Sequence, residues 1–257
     1  MKSFWKGKDS DNAGRIEGLS MAVEVVVFNL FRTLLESDNT IREAYKRMLT
    51  ETNLPNDQNT LKDLMIVEQL KQISDEFERE AWWKEFFGSK GIELDEEKLK
   101  EMKRVFWARR LQLSRPVPGA PETLKKLRLI GFRTAAISSE DAGKMLVRSL
   151  LEKTGLFELL DSIICLKGRS NELKALDSMA KINRIKRSGI AYVDIYLERV
   201  ITVQANGFVG IWLSEKTVPE ITSVKSVSSI VELPSILSSM RAGPSWFHRG
   251  TASSTFS

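Results

Sequence analysis

The run Val23-Glu24-Val25-Val26-Val27-Phe28 is β-branched and almost continuously apolar. A stretch of that kind fits neither a one-sided strand nor a surface helix; it reads as a strand buried on both faces, the situation of a parallel sheet covered by helices on either side. Similar runs recur at Thr134-Ala135-Ala136-Ile137, Ser162-Ile163-Ile164-Cys165-Leu166, Ile190-Ala191-Tyr192-Val193 and Val209-Gly210-Ile211-Trp212-Leu213. Helical patterns lie between them. Pro121 and Glu122 open one that stops at Gly131, Asp141 opens one that stops at Gly155, and Ser170 to Ile182 places Leu173, Leu176 and Ala180 on one face. Strands alternating with single helices predict right-handed crossovers and an α/β fold with a Rossmann-like parallel sheet.

Residues 36–115 break this rhythm, with helical patterns at Ile41 to Leu49, Leu61 to Ile73, Phe77 to Phe87 and Glu96 to Leu113. So long a connection without structure of its own is improbable, so an inserted helical domain is expected there, with the α/β core formed by residues 21–35 and 116–240. Trp82, Trp83, Phe86, Phe87, Phe106 and Trp107 fall at helical spacings and are expected to form the core of the insertion. Asp38 and Asn39 look like the cap of its first helix. Residues 1–20 read as a polar leader without the apolar stretch of a secretory signal. Residues 241–257 read as a flexible tail carrying Trp246, Phe247 and His248. No apolar run approaches the roughly 18 residues of a spanning helix, so no membrane segment is expected.

Composition narrows the chemistry more than the length does. His248 is the only histidine and Cys165 the only cysteine. Ser-His-Asp triads, Cys-His pairs in a folded core and Cys/His zinc cages are excluded, and a single thiol forms no internal disulfide, in keeping with a reducing, cytoplasmic setting. The formal charge is +5. Residues 167–187 hold seven bases (Lys167, Arg169, Lys174, Lys181, Arg184, Lys186, Arg187) against Glu172 and Asp177, a window that could contact an acidic protein or an RNA backbone, although no nucleic-acid motif accompanies it.

In an open α/β sheet, ligand chemistry resides in the loops at the carboxyl ends of the strands. The first such loop, Val27-Phe28-Asn29-Leu30-Phe31-Arg32-Thr33-Leu34, resembles the first motif of the haloacid dehalogenase-like (HAD) superfamily, Phe-Asp-x-Asp-Gly-Thr-Leu. Phe28, Thr33 and Leu34 match it, whereas Asn29, Phe31 and Arg32 stand where the family has its two aspartates and its glycine. Val117-Pro118-Gly119-Ala120-Pro121 is similar to the lead-in to the second motif, and Ala136-Ile137-Ser138-Ser139 to that motif itself, with Ser138 in the Ser/Thr position. The insertion matches the family's helical cap, and Val231-Glu232-Leu233-Pro234 its closing segment. For the third-motif lysine there are two candidates, Lys167 and Lys174. The fourth motif, Val-Gly-Asp-Ser-x-x-Asp, allows two registers. A gapless one keeps Val193 and Gly207 in place and puts Ile195 and Arg199 at the two acid positions; this one is preferred. A one-residue slip uses Asp194 and Glu198 instead.

Phosphatases of this family form an aspartyl-phosphate on the first Asp, use the second as acid and base, and hold Mg²⁺ through the carboxylates of motif four. By that resemblance Asn29 cannot become an acyl-phosphate and Phe31 cannot shuttle a proton. Arg32 and, in the preferred register, Arg199 bring guanidinium groups to the metal's place, which implies no metal and no cofactor, with Mg²⁺ expected only if the acids are rewired. The expectation is therefore a non-catalytic protein that binds a ligand or partner or acts in regulation. A phosphate-bearing ligand would be held by Arg32, Thr33, Ser138, Lys167, Lys174 and Arg199. The competing expectation is a phosphatase working through Asp194 and Glu198, and a weaker one is RNA or ribonucleoprotein binding through the basic window.

Overall fold

The computed structural model describes residues 23–73, 78–166, 171–214 and 224–241. Among them lies one parallel sheet of six strands, β1 (Val25–Asn29), β2 (Arg133–Ser138), β3 (Ser162–Cys165), β4 (Ile190–Asp194), β5 (Val209–Leu213) and β6 (Lys225–Val227), in the order β3-β2-β1-β4-β5-β6. The first five are those expected from the apolar runs. β6 escapes such a reading because only Val227 of its three residues is buried.

Four helices, α1 (Asp38–Glu51), α2 (Gln58–Ile73), α3 (Arg79–Gly88) and α4 (Glu96–Leu113), follow β1. The rest of the chain adds α5 (Ala120–Leu129), α6 (Lys144–Lys153), α7 (Glu172–Asn183), α8 (Leu197–Ala205) and α9 (Leu233–Arg241). None of the described helices is long and apolar enough to cross a membrane. The polar leader, His248 and the tail aromatics lie outside the described residues.

β1 is buried along its whole length and pairs with β2 on one side (Val27↔Ala135) and β4 on the other (Phe28↔Val193). Its side chains alternate between two cores, as the period of a strand requires. Val26 and Phe28 join the cluster containing Leu124 and Leu127 of α5, while Val25 and Val27 join Leu176, Met179 and Ala180 of α7. In the inserted helices, Tyr45 of α1 stacks against Phe106 of α4 with ring centroids 4.9 Å apart, and Trp83 packs edge-on to both. The helix α1 begins differently from the expectation. Ser37 is its N-cap residue and makes no capping bond, and Asp38 pairs with Arg32 instead.

Gly210 is where β5 meets α8. A methyl group there would sit 2.8 Å from both Val200 Cγ1 and the Val200 carbonyl oxygen, so helix and strand would have to part. Gly210→Ala is expected to cost about 1–3 kcal/mol in urea unfolding, whereas Gly88→Ala, with nothing within 4 Å, leaves the midpoint unchanged or raises it.

Candidate functional site

The strand order reverses between β1 and β4, so the two carboxyl ends diverge into a crevice at the topological switch point, where such sheets place their ligands. Asn29 ends β1, Ser138 ends β2 and Asp194 ends β4. The Asp194 carboxylate is fully buried and ringed by donors. Asn29 Nδ2 donates to both its oxygens at 3.1 Å, the Tyr192 hydroxyl donates at 2.7 Å, and the backbone amides of Ile195 and Tyr196 donate at 2.7 and 3.2 Å. An ionised carboxylate only accepts, which fixes the Asn29 amide with its NH₂ toward Asp194. Burial raises the Asp194 pKa above its ordinary value, while Arg199, Tyr192, Asn29 and the Tyr196 amide pull it back. Burial and the neighbouring Asp194 and Glu172 charges raise the Tyr192 hydroxyl well above its own.

Arg199, on the buried face of α8 with Val200 and Val203, reaches the same place. Its Nη1 lies 3.0 Å from Glu172 Oε1, 3.3 Å from Ser139 Oγ and 3.8 Å from Asp194 Oδ2, and its Nη2 donates to the Gln72 carbonyl. Arg32 adopts a left-handed φ of 66°. It donates to the Tyr196 hydroxyl at 2.8 Å and pairs with Asp38 at 2.8 Å, and Tyr196 in turn donates to the Gln72 side chain. Phe31 faces the Arg110 guanidinium, 4.5 Å from its ring centroid. Between Asn29, Gln72, Tyr196 and Arg199 there remains about 10 Å³, space for roughly one water. Asn29 Oδ1, Thr33 Oγ1 and Ser138 Oγ are buried there or nearby without a hydrogen-bond partner among the described residues.

Neither expected register of the fourth motif survives whole. The chain turns directly after β4, folding the amides of 195 and 196 back on Asp194, and α8 starts at Leu197. Asp194, not Ile195, therefore faces Asn29, yet it is Arg199 and not Glu198 that points inward; Glu198 is exposed. Lys174 is exposed too, its amide capped by Asn171, and the inward position in the first turn of α7 belongs to Glu172. Lys167 lies outside the described residues. Gln72, Glu172, Tyr192 and Tyr196 had no motif to announce them. Of the basic window, Lys181, Arg184 and Lys186 are exposed before the amino end of β4, remote from this crevice, while Arg187 pairs with Asp177 at 2.8 Å and Arg169 lies outside the described residues.

The family profile described as haloacid dehalogenase-like hydrolase matches residues 26–194. The chain belongs to that family. No curated protein sequence matches it. Among solved structures, this HAD-like chain is similar to a protein of Bacillus subtilis assigned as a HAD-hydrolase and bound to magnesium, at 14% identity and TM-score 0.69, covering 84% of this chain and 99% of that one. It is also similar to a predicted phosphoglycolate phosphatase from Haemophilus somnus, at 16% identity and TM-score 0.62 with 85% and 99% covered. An L-2-haloacid dehalogenase from Xanthobacter autotrophicus aligns at 15% identity and TM-score 0.61, over 85% and 99%. At these identities the likeness is one of fold.

In this HAD-like chain the inserted helices are tied to the sheet by buried charge. Arg79 of α3 is fully buried; its Nη2 lies 2.5 Å from Glu68 of α2 and 2.8 Å from Glu140, which follows β2, and its Nη1 donates to Asp141. Arg110 of α4 donates to the same Glu140 and, at 2.7 Å, to Ser37 Oγ. Tyr45 and Gln72 both donate to Glu68, at 2.5 and 3.0 Å. Burial pushes the Glu140 carboxyl up, but Arg110 and Arg79 outweigh it and hold the pKa below 4.5. Beside this network lies a larger cavity of about 210 Å³, lined among others by Glu78, Lys103, Asp141, Lys144 and the half-buried Cys165.

Replacing Arg79 with Met would leave Glu68, Glu140 and Asp141 short of their shared cation, at an expected cost of about 3–5 kcal/mol at pH 7. Because the folded pKa of Glu140 is depressed, its stabilisation is present above 4.5 and is lost as pH falls through the folded value. The gap between wild type and Arg79→Met in urea unfolding should therefore narrow as pH drops below 4.5.

Proposed function

We propose that this HAD-like protein does not hydrolyse phosphate esters and works instead as a binding or regulatory protein. The observation that carries the reading is the Asn29–Asp194 contact. Position 29 ends the strand on which the family places its nucleophile, and an amide there has no anionic oxygen to accept a phosphoryl group. Its NH₂ is committed to the Asp194 carboxylate. Asp194 is in turn walled in by donors, so it lacks the access of a nucleophile, which weakens the reading of a phosphatase with rewired acids.

A divalent cation fits this donor set poorly. Mg²⁺ demands six oxygens and keeps several waters, whereas the crevice has space for about one water and a guanidinium already lies between Asp194 and Glu172. The same crowding argues against a phosphate held by Arg32, Thr33, Ser138 and Arg199, since both arginines have internal partners. Room for a ligand exists instead in the cavity of about 210 Å³, where the side chains of Glu78 and Lys144 have no partner among the described residues and suit a small molecule carrying both an amine and a carboxylate. Cys165 is the chain's single cysteine and forms no internal disulfide, which supports a reducing, cytoplasmic setting.

With 4-nitrophenyl phosphate and Mg²⁺ the protein should show no turnover above buffer, and beryllofluoride should leave its Tm unchanged. Metal-dependent turnover abolished by Asp194→Ala would refute the proposal. For the cavity, millimolar L-alanine should raise the Tm while acetate and ethylamine alone do not, and Glu78→Gln should remove the effect.

A further inference from the structure

We infer that the Arg199 guanidinium is a resident counter-ion that supplies, from within the chain, the positive charge for which the family uses a divalent cation, and that its removal turns the crevice into a site for such a cation. The inference deepens the non-hydrolytic reading and rests on it for the claim that no reaction needs the metal.

Two carboxylates, Asp194 and Glu172, are buried at the crevice, with 0% and 4% of their surfaces exposed. Burying two acids near one another is costly unless a cation is shared between them. Arg199 is that cation, with one nitrogen 3.0 Å from Glu172 and 3.8 Å from Asp194. Its planar fork also meets the Ser139 hydroxyl and the Gln72 carbonyl.

Asn29 completes the argument. With a carboxylate in its place, a third negative charge would stand about 3.1 Å from Asp194, a separation at which one of the pair must stay protonated unless a dication intervenes. The amide removes that charge and donates to Asp194 instead. It leaves its own Oδ1 buried without a hydrogen bond among the described residues, on the wall of the space that Arg199 also lines. Truncation of Arg199 would thus expose three oxygen-bearing side chains, Asp194, Glu172 and Asn29, around a void of the volume of an arginine side chain, with room for the waters a hard cation keeps.

The test compares thermal unfolding of wild type, Arg199→Ala and Arg199→Lys in EDTA and in millimolar MgCl₂ or CaCl₂. Wild type should melt at the same temperature in all three. Arg199→Ala should lose about 10 °C in EDTA and recover at least half of it with Mg²⁺ or Ca²⁺, and adding Glu172→Gln should abolish the recovery. Arg199→Lys keeps the charge, so it should fall between the two and ignore divalent ions; it also serves if the alanine variant does not fold. The inference is overturned by a wild-type Tm that rises with Mg²⁺, by an alanine variant as stable as wild type in EDTA, by a loss that neither ion restores, or by a lysine variant that responds to them. Aryl-phosphate turnover by a wild type indifferent to Mg²⁺ would sink the non-hydrolytic reading while supporting the counter-ion.

Discussion

A guanidinium with no exposed surface needs acceptors close at hand, and the two terminal nitrogens of Arg79 find them on both parts of the molecule, Glu68 within the inserted helices and Glu140 and Asp141 after β2. Such a group cannot be half-satisfied without a penalty of several kcal/mol, so the insertion and the sheet are held in one mutual position. The stacking of Phe106 and Trp107 against the same guanidinium, at 4.8 and 5.0 Å, narrows its freedom further. That position in turn delivers the last turn of α2 to the crevice, where the Gln72 carbonyl and side chain close over Arg199 and Tyr196. The small size of the remaining space thus follows from the placement of α2 together with the side chains of Phe31, Arg32, Tyr196 and Arg199 that line it.

The first five strands and the helical insertion were legible in the sequence, because buried parallel strands announce themselves by continuous apolar runs, and the motif resemblance pointed to the strands' carboxyl ends; the strand order that makes a switch point there was not legible. Nor were the inward positions after β4. Motif spacing counts residues, whereas the direction of a side chain is decided by where the helix begins; α8 starts at Leu197, which turns Glu198 out and Arg199 in. The ionic network was equally hidden. Glu68, Arg79 and Arg110 look like ordinary solvated charges on amphipathic helices, and their ionic partners are 11 to 62 residues away along the chain. The available signal was local, in that Arg79 precedes the buried pair Trp82 and Trp83 by one helical turn and Arg110 follows Phe106 by another, so each shares a face with aromatic core.

The residues that depart from the family's motifs share a property that random drift does not require. Each has a specific new partner: Asn29 has Asp194, Phe31 has the Arg110 guanidinium, Arg32 has Tyr196 and Asp38, and Arg199 has Glu172 and the Gln72 carbonyl. Three of those partners, Arg110, Asp38 and Gln72, belong to the inserted helices. A crevice that had merely ceased to be selected would be expected to carry voids and unpaired charge, because packing and pairing are the first things that unconstrained substitution degrades. Here the charges are paired and the void is close to the size of a water molecule, while Asn29 Oδ1, Thr33 Oγ1 and Ser138 Oγ have no hydrogen-bond partner among the described residues. Phe31, Arg32 and Arg199 thereby join the inserted helices to the sheet, while Asn29 ties the ends of β1 and β4 together.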